Sequence, residues 1–75
     1  MLSDEIKEIL ADILEISADG IDTQARLEEL GLDEDTAAQL AGGIEDQYSI
    51  EVTEEALDTL KTVEDLIVYV ESNLD

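Results

Sequence analysis

Apolar residues recur at three- and four-residue steps through Ile6, Ile9, Leu10, Ile13 and Leu14, the spacing of one face of an α-helix. Ser3 followed by Asp4 and Glu5 supplies a capping hydroxyl and two acids against the positive end of the helix dipole. A first helix is therefore predicted from there to near Ile16. Ser17-Ala18-Asp19-Gly20 carries turn chemistry, and the polar stretch to Asp33 has only Ile21, Leu27, Leu30 and Leu32 as large apolar residues. It reads as a long loop pinned to the core by those four side chains.

A second amphipathic stretch opens between Asp33 and Asp35, where Asp33 can cap and Glu34 and Asp35 suit a first turn, and is predicted to run to about Tyr48. Its apolar face is thin. Leu40, Ile44 and Tyr48 recur every four residues, but Ala37, Ala38 and Ala41 are small and Gly42-Gly43 falls mid-helix. Each interior glycine costs roughly 0.5–1 kcal/mol relative to alanine, so the pair weakens the helix by about 1–2 kcal/mol. Thr53 with Glu54 and Glu55 starts a short third helix ending about Leu57 or Asp58, with Ile50, Val52, Ala56, Leu57 and Leu60 as apolar contacts. Thr62 opens the last helix, where Asp65 three residues on resembles a capping box. Val63, Leu66, Ile67, Val70 and Leu74 give its buried stripe. The stretch Ile67-Val68-Tyr69-Val70 makes a strand conceivable, but the cap and the spacing favour helix. The predicted fold is all-α, a bundle of three main helices and one short one with a long first loop.

A chain of 75 residues suits one domain, residues 1–75, with a single small core and no second layer to shelter a catalytic cleft. Function is then expected on the surface, without enzymatic activity, since nothing so short would shield one carboxylate and raise its pKa selectively. Acidic chains are often disordered, but 44% apolar content with helical spacing favours folding. The 22 acidic residues against Lys7, Arg26 and Lys61 leave a net charge of −19. That balance argues against nucleic acid as a partner and for basic protein surfaces, with encounter rate gaining more than affinity. No cysteine is present, which excludes disulfides and thiolate chemistry. Asp33-x-Asp35 is followed by Ala37 and Ala38 rather than by calcium-loop ligands and a central glycine, so no metal site is expected. The stretch from Met1 to Glu5 lacks the features of a signal peptide, and no apolar run approaches a membrane span. Cytoplasmic residence away from membranes is the expectation. Tyr48 and Tyr69 sit at helical apolar positions and read as core residues.

Leu30-Gly31-Leu32-Asp33, Ile44-Glu45-Asp46-Gln47-Tyr48-Ser49-Ile50-Glu51-Val52 and Thr62-Val63-Glu64-Asp65-Leu66-Ile67-Val68-Tyr69-Val70 together resemble the acyl carrier protein family. The family's patterns there are leucine-glycine-x-Asp-Ser-Leu, an acidic run ending in an aromatic and Ile-Glu-Ile, and Thr-Val-x-Asp-Leu-x-x-Tyr-Ile. The first helix and Ala25-Arg26-Leu27 are also compatible, so the resemblance covers nearly the whole chain. It implies the family's four-helix fold. It also implies a serine after the aspartate carrying a phosphopantetheine arm, whose thiol holds acyl or aminoacyl groups as thioesters. The matching residue here is Glu34, and a carboxylate cannot supply the alcohol oxygen that attacks the coenzyme's phosphorus. No serine lies between Ser17 and Ser49, and Thr36 is the only nearby hydroxyl, two residues late and β-branched. No cofactor is expected. The neighbours depart too: Asp35 matches the leucine that helps dock modifying and acyl-transfer enzymes, Ala38 the valine lining the acyl tunnel, and Gly42 a bulky apolar residue.

In the leading reading the chain is acyl-carrier-like without the arm and acts as a non-carrier interaction or regulatory module. Its partners are basic protein surfaces, including those of synthase-type enzymes. Glu34, Asp35, Glu45, Asp46 and Glu51 are the candidate partner-binding residues, with Glu54 and Glu55 extending that face. The alternative is an acyl or aminoacyl carrier of a fatty-acid, polyketide or peptide synthesis pathway whose serine has been replaced by Glu34. A third reading is an acidic helical inhibitor or nucleic-acid mimic. Against these stand plainer roles: Glu34 as an acid stabilising a helix N-terminus by roughly 0.3–1 kcal/mol, and the other acids as a solvated side.

Overall fold

The computed structural model describes residues 2–74. The one-domain expectation and the N-terminal stretch each extend to a residue outside these, Asp75 and Met1. The elements are α1 (Leu2–Leu14), α2 (Glu34–Tyr48), α3 (Glu54–Thr59) and α4 (Val63–Asn73), with a 3-10 turn at Ala18–Gly20. Among the described residues there is no strand, only an isolated bridge between Arg26 and Thr62. The all-α reading holds, and Ile67–Val70 is helical.

Helix α1 differs from its predicted bounds at both ends. Ser3 lies inside the helix rather than capping it, because the helix extends to Leu2, which packs partly buried against the core. At the other end Glu15 turns left-handed with φ 57°, and the Ile16 amide donates back to the Ala11 carbonyl at 3.0 Å. That six-to-one bond ends the helix at Leu14 and leaves Ile16 37% exposed.

The core is built where the periodicity placed it. Ile6 and Leu10 of α1, Leu40 and Ile44 of α2, and Val63, Leu66 and Val70 of α4 are all fully buried. Ala41 joins them at 8% exposure because α2 lies close enough to its neighbours to bury a methyl group. Leu74 does not: it falls one residue past the end of α4 and is 38% exposed. Helix α3 runs two residues beyond Leu57, its one buried side chain. The capping box at α4 is present as read, the Asp65 amide donating to the Thr62 hydroxyl at 3.1 Å and the Thr62 amide to the Asp65 carboxylate at 3.1 Å. Bonds to the Lys61 and Thr62 amides hold the Asp65 carboxyl below its ordinary value.

The first loop is fixed by more than its side chains. Ile21 and Leu27 are buried and Leu30 and Leu32 partly so, as the sequence suggests. The loop also pairs with the start of α4: the Leu27 amide donates to the Lys61 carbonyl at 2.9 Å, Val63 to Ala25 at 3.1 Å, and Glu64 to Thr23 at 2.8 Å. Two of those donors belong to the first turn of a helix, where amides have no partner within the helix. Gly31, at φ +106°, then turns the chain toward α2 in a conformation that side chains rarely adopt.

Candidate functional site

The candidate acids divide between the two ends of α2. At its N-terminus Asp33 is extended and its carboxylate accepts from the Thr36 amide at 2.9 Å, while the Asp33 amide donates to the Thr36 hydroxyl at 2.7 Å. These bonds from Thr36 hold the Asp33 carboxyl below its ordinary value. Sequence reasoning found the cap but missed its reciprocal half, because threonine stands where a capping box usually has glutamate or glutamine. The Thr36 hydroxyl oxygen also lies within hydrogen-bond distance of two acceptors of Asp33, the carboxylate at 3.0 Å and the carbonyl at 3.2 Å.

Glu34 is the first residue of α2, and both it and Asp35 are exposed. Glu34 lines a cleft of about 400 Å³ between the start of α2 and α3. Leu32, Ala37 and Leu57 provide its apolar part, and Asp33, Glu54 and Asp58 its other acids. Asp58 was not singled out in the sequence. Its signal was there, since it stands four residues after Glu54 and so shares a helix face with it. A smaller cleft shares Leu32, Leu57 and Asp58 and brings in Arg26 and Lys61, so two of the three basic residues adjoin this end of the molecule.

Glu45 and Asp46 lie eleven residues further along, about 16 Å at 1.5 Å rise per residue. Eleven residues are close to three full turns, so Glu34 and Glu45 share one side of the helix, and Asp35 and Asp46 another. The five acids are thus not one cluster. Asp46 is exposed, whereas Glu45 is partly buried and its carboxylate accepts from the Val52 amide at 2.8 Å. Glu45 therefore fastens the segment after α2, drawing the exposed Glu51 toward the C-terminal end of the helix. Neither tyrosine is wholly in the core. Tyr48 donates to the Glu5 carboxylate at 3.0 Å, and Tyr69 to the Glu51 carbonyl at 3.3 Å. Among the described residues no group of three or more Asp or Glu side chains converges enough to hold a metal ion. No described helix is long and apolar enough to cross a membrane.

The family model described as the phosphopantetheine attachment site matches residues 4–70. The chain is 32% identical to an acyl carrier protein of Phytoplasma australiense over 75 residues, covering 99% of each. It is 33% identical to an acyl carrier protein of Phytoplasma mali, covering 100% of this chain and 90% of that one. In structure it is similar to a free-standing peptidyl carrier protein from Acinetobacter baumannii, with a TM-score of 0.84 and 26% identity, covering 93% of this chain and 88% of the other. A family match across nearly the whole chain, on the four helices and first loop described above, leaves one assignment: the chain belongs to the acyl carrier protein family.

Proposed function

We propose that this chain is a single carrier-fold domain that performs no carrier chemistry and catalyses no reaction, and that it works in the cytoplasm as an interaction or regulatory module for basic protein surfaces. The surfaces of synthase-type enzymes are the partner class that the family frame suggests. The observation that carries the reading is the chemistry at the start of α2. Glu34 follows the Asp33 cap, and the one hydroxyl close by, that of Thr36, is bound into the cap. Attachment of a phosphopantetheine arm needs a free alcohol oxygen, so the residues at this end of α2 do not fit the group. Glu34, Asp35, Asp46 and Glu51, all exposed, are the contacts for a basic partner, and Glu45 supports them by holding the Val52 amide.

Incubation with coenzyme A and a promiscuous phosphopantetheinyl transferase, followed by intact mass measurement, tests this. An unchanged mass is expected, and a gain of one arm would sink the proposal. The full-length similarity to acyl carrier proteins favours a second reading, a carrier whose serine has been replaced by Glu34. It requires Glu34→Ser to be modified efficiently. Failure of that variant supports a lasting loss of the carrier role, in keeping with Asp35, Ala38 and Gly42 beside it.

A further inference from the structure

Away from the α2–α3 cleft, α1 and α2 border a second groove of about 490 Å³, within the roughly 300–1,000 Å³ range of binding clefts. Its apolar part is Ile9 and Ile13 of α1, which pack against the core but are only partly buried. Over Ile9 the facing helix presents Gly43, which has no side chain to cover it. A Cβ built on Gly43 would stand 3.7 Å from the Ile9 Cγ2, so any longer side chain there would lie across the groove. The edges are polar and acidic, with Asp12 on α1, Asp46 on α2, and Gln39 beside them. Among the described residues none that lines it is basic, on a chain of net charge −19.

We infer that this groove receives a basic amphipathic helix of a partner protein. One aliphatic side chain of that helix enters over Gly43 between Ile9 and Ile13, and lysine or arginine side chains flanking it meet Asp12 and Asp46. The occupant follows from complementarity: an apolar floor between two carboxylates matches an aliphatic residue between two cations, the pattern along one face of such a helix. Gly43 fits the same picture, because a glycine inside a helix weakens it and here leaves room that alanine or leucine would narrow. The inference rests on the proposed interaction role only in taking a basic protein as partner. It adds α1 to the surface and a hydrophobic contact to the charges.

The test is a titration of the isotope-labelled full chain, followed by NMR, with two synthetic peptides of equal composition. One has leucines along one helix face flanked by lysines, and the other has its leucines scrambled. The amphipathic peptide is expected to shift the Ile9, Ile13 and Gly43 resonances saturably and to bind at least about tenfold more tightly than its isomer. Gly43→Leu should abolish that preference. Asp12→Lys, an exposed change outside the acids of the proposed function, should weaken binding about two- to fivefold and keeps the test open if Gly43→Leu does not fold. Equal binding of both peptides, with shifts confined to Glu34, Asp35 and Glu51, overturns the groove and leaves the acidic face standing. No binding of either peptide overturns both. Shifts of the groove residues with protein concentration alone overturn it in favour of a second copy of this chain as occupant.

Discussion

Helix α2 runs unbroken from Glu34 to Tyr48 through Gly42 and Gly43, although two adjacent glycines mid-helix are costly. Gly42 is exposed, its φ is not positive, and a Cβ added there meets nothing within 4 Å. Gly42→Ala therefore adds no clash. It removes backbone freedom chiefly from the unfolded chain, a gain of about 0.5–1 kcal/mol. Unfolding entropy of roughly 2.1 cal/mol/K per residue over 75 residues amounts to about 0.16 kcal/mol/K, so Tm should rise by about 3–6 °C. Gly43→Ala carries the same helical gain, and its Cβ makes an ordinary contact with Ile9 at 3.7 Å. It should raise Tm at least as much. Differential scanning calorimetry of both variants at one fixed ionic strength measures the shifts. An unchanged or lowered Tm for Gly42→Ala would refute the reasoning, because it would mean that α2 is not a continuous helix at that position in solution.

Repulsion among 22 acidic residues should be screened by salt, so Tm should rise with sodium chloride and more steeply with magnesium. A flat response from low to moderate salt would show that repulsion does not limit stability. Burial, then the bond to the Glu5 carboxylate, pushes the Tyr48 phenol up to about 12. Between the unfolded value of 10.0 and about 12 the folded chain holds a proton that the unfolded chain has lost. The contribution is complete below the lower value and disappears as pH rises through the upper one. Tyrosinate absorbance should show one phenol ionising late, and Tyr48→Phe should remove that step. Ionisation of Tyr48 near the unfolded value of 10.0 would contradict the Glu5 contact.

Much of the fold was legible because periodicity and capping agreed. At α4, Thr62 and Asp65 marked the start and Val63, Leu66 and Val70 marked the buried face, and each does in the structure what the pattern says. The failures occur where packing or a local backbone turn overrode the side-chain pattern. Packing of the partly buried Leu2 outweighed the Ser3 hydroxyl, and the left-handed Glu15 stopped α1 although Ile16 continued its apolar spacing. The pairing of Thr23, Ala25 and Leu27 with the start of α4 joins segments about forty residues apart and leaves no periodic trace. At the site, sequence placed the acids on α2 but could not separate Glu45, committed to the Val52 amide, from the exposed Asp46 beside it.

That distinction bears on why the chain is so acidic. Acids at the starts of helices help the fold, and each of the four helices has two in its first turn. At helix ends the dipole favours cations, yet no last turn of the four contains one. In the last turn of α2, Glu45 and Asp46 face the negative end instead. Glu45 is offset by its bond to the Val52 amide, whereas Asp46 stands exposed where its charge opposes the dipole. Folding alone therefore accounts for Glu34 and Asp35 and disfavours Asp46. Asp58 and Glu71 stand exposed in the last turns of α3 and α4 in the same way, so what sets Asp46 apart is its place, opposite Asp12, at the edge of a groove with an apolar floor. On that ground Asp46 belongs to the proposed docking surface more firmly than Glu34, whose position a helix N-terminus explains by itself.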